Sequence, residues 1–265
     1  MKMLLLIAFT TILGVNRDGH PRNGDHAYGA GERLSYRVYY NWNFVWLTAG
    51  EVHFDLRDEG ETYHISVEGK TFASYDWFYK VRDEYHSYID KETGLPNLYI
   101  RKVQQGSYRR YERVVFDYPR KLAYSYTGKT EESAKLTIVQ LDKHYFDMVS
   151  VMYHLRNLPL KEQGKKVKTP FNVLLDDEKY ELGIRYKGEK KRHEVKESGT
   201  YDTFEAVADV ISGHVFDEEA RLKLWVSDDR NRVPVLIESP LVVGSVKAIL
   251  SNYANLRYPF DAKLE

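Results

Sequence analysis

The 265 residues carry 39 basic and 39 acidic side chains, 43% hydrophobic residues and no cysteine. The cancelled charge argues against a nucleic-acid or membrane-surface binder held by net charge, and the apolar content argues against a disordered chain. The missing cysteine removes disulfides, thiolate metal sites and thiol catalysis.

In chain order, residues 1–15 (MKMLLLIAFTTILGV) place Lys2 ahead of an apolar run from Met3 to Leu13, with Gly14 and Val15 after it. This is the layout of a secretory signal peptide, and it falls short of the roughly 18–20 apolar residues of a membrane span. No cysteine follows for lipid attachment, and no later run has spanning length. The expected product is therefore periplasmic or secreted, with no transmembrane segment after signal cleavage. Residues 16–30, rich in Gly, Asn and Asp around Pro21, read as a flexible leader. A single β-rich domain is expected over 31–260.

From Leu34 the dominant period is two. Leu34, Tyr36, Val38 and Tyr40 alternate with more polar neighbours, as do Val52, Phe54 and Leu56, then Tyr63, Ile65 and Val67. Such alternation puts one face on a core and the other in water, the habit of antiparallel sheets. Turn signals follow at Asp58-Glu59-Gly60, Glu92-Thr93-Gly94, Gln105-Gly106, Thr127-Gly128 and Asp176-Asp177. Further strands are predicted at 83–90, 97–104, 107–117, 121–127, 133–140, 166–175, 179–187, 191–197, 200–211, 221–227, 233–239 and 243–253. About fourteen strands are too many for a flat sheet. Phe72–Val81 predicts a helical turn or two. Residues 142–157 predict an amphipathic helix, with Phe146, Val149, Met152, Tyr153 and Arg156 at helical spacing, Asp142 as cap and Pro159 as stop. The fold class is mainly β: a strongly curved antiparallel sheet, an open barrel or a two-layer β-sandwich, with this helix packed against it.

Chemistry is harder to find. The nine histidines include no His-Glu-x-x-His. His53, His64 and His86 share the polar side of their strands, where cross-strand neighbours would bring two together, but exposed strand histidines are far commoner than ligands, so no metal is assigned. Asp228, Asp229 and Asn231 do not match a calcium loop and suit a turn. No Gly-x-Ser-x-Gly elbow is present, and neither Ser212-Gly213-His214 nor Ser150 with His144 and His154 makes a triad. The carboxylate pairs Asp83/Glu84, Asp176/Asp177 and Glu218/Glu219 read as solvated turns. No catalytic residue and no cofactor is assigned.

Binding signals are better. The 22 tyrosines, 11 Phe and 4 Trp suit sheet packing and also a platform for sugars or lipids, since each tyrosine is apolar on its faces and polar at its tip. The segment Asn41–Trp46 sets bulky apolar residues between two strands, either at the mouth of an apolar cavity or as a core plug. The hairpin 98–113 interleaves Tyr99, Tyr108 and Tyr111 with Arg101, Lys102, Arg109, Arg110 and Arg113; in an exported protein its anions are lipid heads or acidic glycans.

Several patterns stand in order along the chain: Gly31-Glu32-x-Leu34-x-Tyr36; Ala49-Gly50-Glu51; Asp83, Ser87 and Asp90 before Leu95-Pro96; and Asp147-x-x-Ser150-x-x-Tyr153-x-Leu155-Arg156. Leu224–Asp229, Arg232-Val233-Pro234-Val235, Glu238 and Gly244-Ser245 complete them. Together, over about 31–253, they resemble one family of bacterial exported proteins, DUF3108. The resemblance implies a curved periplasmic β protein with envelope roles and no established activity. Asp147 and Arg156 are expected as a charge pair tying the helix to the sheet.

The functional expectation is a non-enzymatic envelope protein that binds an apolar or amphipathic ligand (lipid, glycolipid or anionic glycan) or another envelope protein, and no nucleic acid. Tyr36, Tyr40, Trp42, Phe44 and Trp46 would line the mouth, with Arg101 and Arg109 for an anionic head. The alternatives are an envelope hydrolase of glycan or ester bonds and a purely structural assembly partner.

Overall fold

The computed structural model describes residues 26–42, 45–77, 79–211, 221–240 and 244–264. Among them the alternating segments form one fourteen-stranded antiparallel sheet. Its first run holds β1 (Arg33–Trp42), β2 (Val45–Glu59), β3 (Thr62–Thr71) and β4 (Val81–Asp90). It continues through β5 (Pro96–Gln105), β6 (Tyr108–Asp117), β7 (Leu122–Gly128) and β8 (Lys135–Gln140). After a connection carrying two helices, α1 (Ser150–Asn157) and α2 (Leu160–Gln163), come β9 (Thr169–Leu175), β10 (Glu178–Val195) and β11 (Gly199–Asp209). The last strands are β12 (Arg221–Ser227), β13 (Pro234–Pro240) and β14 (Ser245–Ala254).

Each run is a meander, and the two are joined where β1 pairs with β14, so the first and last strands meet in the middle of the sheet. The free edges are β8 and β9. They approach each other without a strand ladder. Phe146 bridges to β9, its N–H donating to Asn172 O and its carbonyl accepting from Leu174 N, each at 2.9 Å. Lys179 on β10 reaches Asp142 at 2.8 Å and the Gln140 carbonyl at 3.3 Å, and Lys143 pairs with Glu181. The barrel-like sheet is thus not closed by a ladder; among the described residues one bridge and these side chains span the seam between its two edges.

The tip of the β9–β10 hairpin is clasped on the inner side of β5–β8. Asp176 accepts from Arg101 and from Arg110, the latter at 2.7 Å, while its own N–H donates to Glu112 at 2.7 Å. Asp177 accepts from Thr127 at 3.1 Å and Thr137 at 3.3 Å. Glu112 is fully buried. Its carboxylate lies 3.1 Å from Arg101 Nε, close enough for charge attraction but not aligned for a hydrogen bond.

The helix is shorter than its predicted span of 142–157. Asp147 and Ser150 form a reciprocal box: Asp147 Oδ1 accepts from the N–H groups of Val149 (2.7 Å) and Ser150 (2.8 Å), while Asp147 N donates to Ser150 Oγ at 2.9 Å. That satisfies the first-turn donors and replaces the predicted cap, Asp142. Because Phe146 commits its backbone to β9, residues 142–147 cannot join the helix. The expected Asp147–Arg156 pair does not form. Asp147 accepts from Ser87 on β4 at 2.7 Å, and Arg156 makes a two-pronged ion pair with Glu32 at 2.6 and 2.8 Å.

Arg156 also donates to the carbonyls of Ala27 and Asn231. Tyr28 and Tyr153 meet edge to face at 4.8 Å beside it. His26, Ala27 and Tyr28 are buried, so the leader expected over 16–30 gives way to packed chain by residue 26. Residues 1–25, including the segment expected to be a signal peptide, lie outside the described residues. The predicted strands 179–187 and 191–197 are one strand, β10, interrupted by irregular pairing at 186–188 and 190–193. Residues 73–77 make turns, with Asp76 N bonded to Phe72 O at 3.2 Å.

Candidate functional site

Arg156 of α1 meets Glu32 before β1 and Asn231 in the β12–β13 turn, and Asp147, just ahead of α1, meets Ser87 late in β4. The helix therefore closes one end of the sheet. At the opposite end lie the last residues of β1 and β3 and the first of β2 and β4, and there the sheet bears a half-open apolar cavity of about 480 Å³.

Local chain features set its shape. A bulge at Val38/Tyr39 shifts the β1–β2 register so that Val38 faces Gly50 and Tyr39 faces Thr48. Val38 and Tyr40 both line the cavity, while Tyr39 bonds Glu197. Gly50 is needed there because a Cβ would sit 2.2 Å from the Lys70 carbonyl. Val52, Val67 and Val81 form the apolar wall. The connector 72–80 supplies Tyr75 and Tyr79, and an ion pair of 2.5 Å between Asp76 and Arg82 pins it, reinforced by Thr71 Oγ1 donating to Asp76 at 2.6 Å. The Tyr79 ring rests against Gly106 in the β5–β6 hairpin.

Polar groups are few and placed. Glu51 and Lys70 stand opposite each other in the β2–β3 register and form an ion pair of 3.0 Å on the face that also carries His53, and the Lys70 amine holds the Glu51 carboxyl below its ordinary value. Asp83 accepts from Gln105 Nε2 at 2.6 Å, Gln104 N at 3.1 Å and Tyr85 Oη at 3.3 Å. Burial still pushes its carboxyl up, with those three donors opposing. Burial also raises the Tyr85 phenol, and Asp83 adds to it. A titratable group perturbed by desolvation in a cleft marks a candidate site.

Of the residues expected at the mouth, Tyr40 lines the cavity. Tyr36 does not: it is buried toward α1, donating to the Pro234 carbonyl at 3.0 Å and packing on Phe54. Phe44 and the side chains of Trp42 and Trp46 lie outside the described residues. Arg101 stands opposite Tyr85 in the β4–β5 register, behind the cavity wall, with its charge engaged by Glu112 and Asp176. Arg109 is at the β5–β6 tip, bonded to the carbonyls of Gly106 and Tyr108.

Sequence reasoning missed Tyr75, Tyr79, Tyr85 and Asp83. The alternation of 81–89 puts Asp83 on the same face as Ser87 and Ile89, which is the one signal that pointed inward. Asp229 makes the predicted turn, accepting from Ser227 Oγ, Asn231 N and Arg232 N.

A second depression of about 450 Å³ lies on the seam, lined by His144, His154, Asp142 and Lys143 among others. It is more polar in its lining residues. No helix among the described residues is long and apolar enough to cross a membrane.

The fold has a solved counterpart. The chain is similar to a β-barrel-like protein of domain of unknown function DUF1849 from Brucella abortus, with a TM-score of 0.58 and 10% identity, over 84% of this chain and 96% of that one. No curated protein matches the sequence. A curved sheet built from these ordered motifs has its family in DUF3108, proteins of unknown function, whose model matches residues 35–251, and to which the chain belongs.

Proposed function

We propose that the protein is an exported envelope protein, periplasmic or secreted, that holds the apolar part of an amphipathic lipid or glycolipid in the cavity beside Tyr40 and carries out no catalysis. The observation that carries this reading is the cavity, whose 480 Å³ falls within the about 300–1,000 Å³ of small-molecule sites. Valines make its wall, and four tyrosines supply apolar faces with polar tips, which suits the junction of an acyl chain and a headgroup. Arg109 stands on the hairpin against which Tyr79 rests, where an anionic head or glycan would extend. Export rests on the composition of residues 1–15.

Native mass spectrometry of the exported, cleaved protein, followed by organic extraction, tests the reading. A stoichiometric lipid or glycolipid is expected, and Val38→Trp, which fills the cavity, is expected to fold and come out empty. An empty wild-type protein of unmodified mass, or equal ligand in a folded Val38→Trp variant, would overturn it.

A further inference from the structure

The outer face of β3 and β4 brings two histidines together. Ser66 pairs with His86 and His64 with Tyr88, so His64 and His86 are diagonal neighbours on one face, within reach of each other across the ladder. Nε2 of His64 lies 3.0 Å from Nδ1 of His86. The far nitrogen of each ring meets a carboxylate: His64 Nδ1 is 2.9 Å from Glu59, and His86 Nε2 is 2.7 Å from Glu84. The His64 ring is held flat against Tyr88, centroids 4.3 Å apart and planes within 2°.

Hydrogen counting makes this arrangement informative. Two neutral imidazoles own one N–H each. The ionised carboxylates accept only, so each ring turns its N–H outward, to Glu59 or to Glu84. The two lone pairs then face one another across 3.0 Å, and something positive belongs between them.

We propose that His64 and His86 are the two protein ligands of a site for a divalent transition-metal ion of the zinc class. Two zinc–nitrogen bonds of about 2.0–2.1 Å at a tetrahedral angle separate their nitrogens by about 3.3 Å, a few tenths of an ångström from the spacing found. Carboxylates on the far ring nitrogens are the outer partners that metal-bound histidines carry, fixing tautomer and orientation. Imidazole donors select zinc, copper or nickel over calcium and magnesium. Among the described residues no three His, Asp or Glu side chains converge on one point. The remaining coordination positions therefore belong to water or to a donor from outside the chain. Around the pair lie Arg57 of β2, opposite His64 and paired to Asp55 at 3.1 Å, and Lys102 of β5, opposite Glu84.

Isothermal titration of the full protein with Zn²⁺ tests the site, with His53→Gln as an off-site control. One ion per chain is expected. His86→Gln and His64→Gln should each lose at least about tenfold in affinity, and Glu59→Gln or Glu84→Gln about tenfold, while His53→Gln matches wild type. Zn²⁺ should also raise the melting temperature of wild type and leave that of His86→Gln unchanged. His86 is partly exposed, so this variant stands if His64→Gln fails to fold, and its melting curve without metal should overlay wild type. Absence of saturable one-to-one binding, or equal binding by wild type and folded His86→Gln, overturns the proposal and leaves a shared proton between the rings.

Discussion

Glu32 and Arg156 are the residues on which the α1 end of the sheet depends. Both are buried, with side chains 0% and 4% exposed. Burial alone would lower the arginine, yet Glu32 and the neighbouring tyrosines raise it above its ordinary range, so its charge is kept and must be matched. Glu32→Ala leaves the guanidinium with carbonyl partners only. It should cost about 3–5 kcal/mol in urea unfolding, and Glu32→Leu with Arg156→Leu should cost less than the single change; a loss under about 1 kcal/mol would count against that role. The sequence marked Arg156 but paired it with Asp147, nine residues away on the expected helix. Its true partner is 124 residues distant, a separation for which no local pattern exists. Tyr36 and Arg101 went astray similarly. Alternation reveals which side of a strand a residue takes, but not what lies across from it. His64 and His86 were the opposite case, since a shared face and adjacent strands sufficed to bring them together.

At the scale of elements, strands were legible because their alternation is regular, and α1 was legible in type but not in extent. The Asp147–Ser150 box has a readable spacing, whereas the bridge that occupies Phe146 is a tertiary contact. The connector 72–80 was read only as a helical turn or two, a pattern too short to say what it faces, so the wall it gives the cavity was hidden. The clasped β9–β10 tip has a pH dependence of its own. Burial pushes the Glu112 carboxyl from an ordinary 4.5 up to about 7, Arg101 opposing. A raised carboxyl means the folded state holds a proton that the unfolded chain has released. Its stabilising contribution is therefore complete below about pH 4.5 and is lost as pH rises through about 7. Between about pH 5 and pH 8, wild type should lose roughly 1–3 kcal/mol relative to Glu112→Gln. Parallel stability profiles in urea would show that Glu112 does not titrate in this way.

For the molecule as a whole, alternation and strand number predicted a curved sheet, and the structure has one. What could not be foreseen is the order of strands. Nothing in β1 or β14 announces that they pair, although Gly244 stands among the family motifs and suits the place: its φ is +79° and a Cβ would lie 2.1 Å from the Asn41 carbonyl. The α1 end and the cavity end are thereby held by one continuous sheet.

The central pairing of the first and last strands has a consequence for how the chain can be rewired. A linker joining the two ends, with a new opening in the loop between α2 and β9, would break no ladder and leave every strand beside its neighbour in sequence. The natural chain must bring β1 to β14 across more than 200 intervening residues, and such distant pairing slows folding. In the permuted chain every ladder would join neighbours in sequence, leaving only the seam distant, and it should refold faster in stopped-flow experiments while keeping the same far-ultraviolet spectrum. An unchanged rate would mean that the seam, rather than the meeting of the two ends, sets the pace.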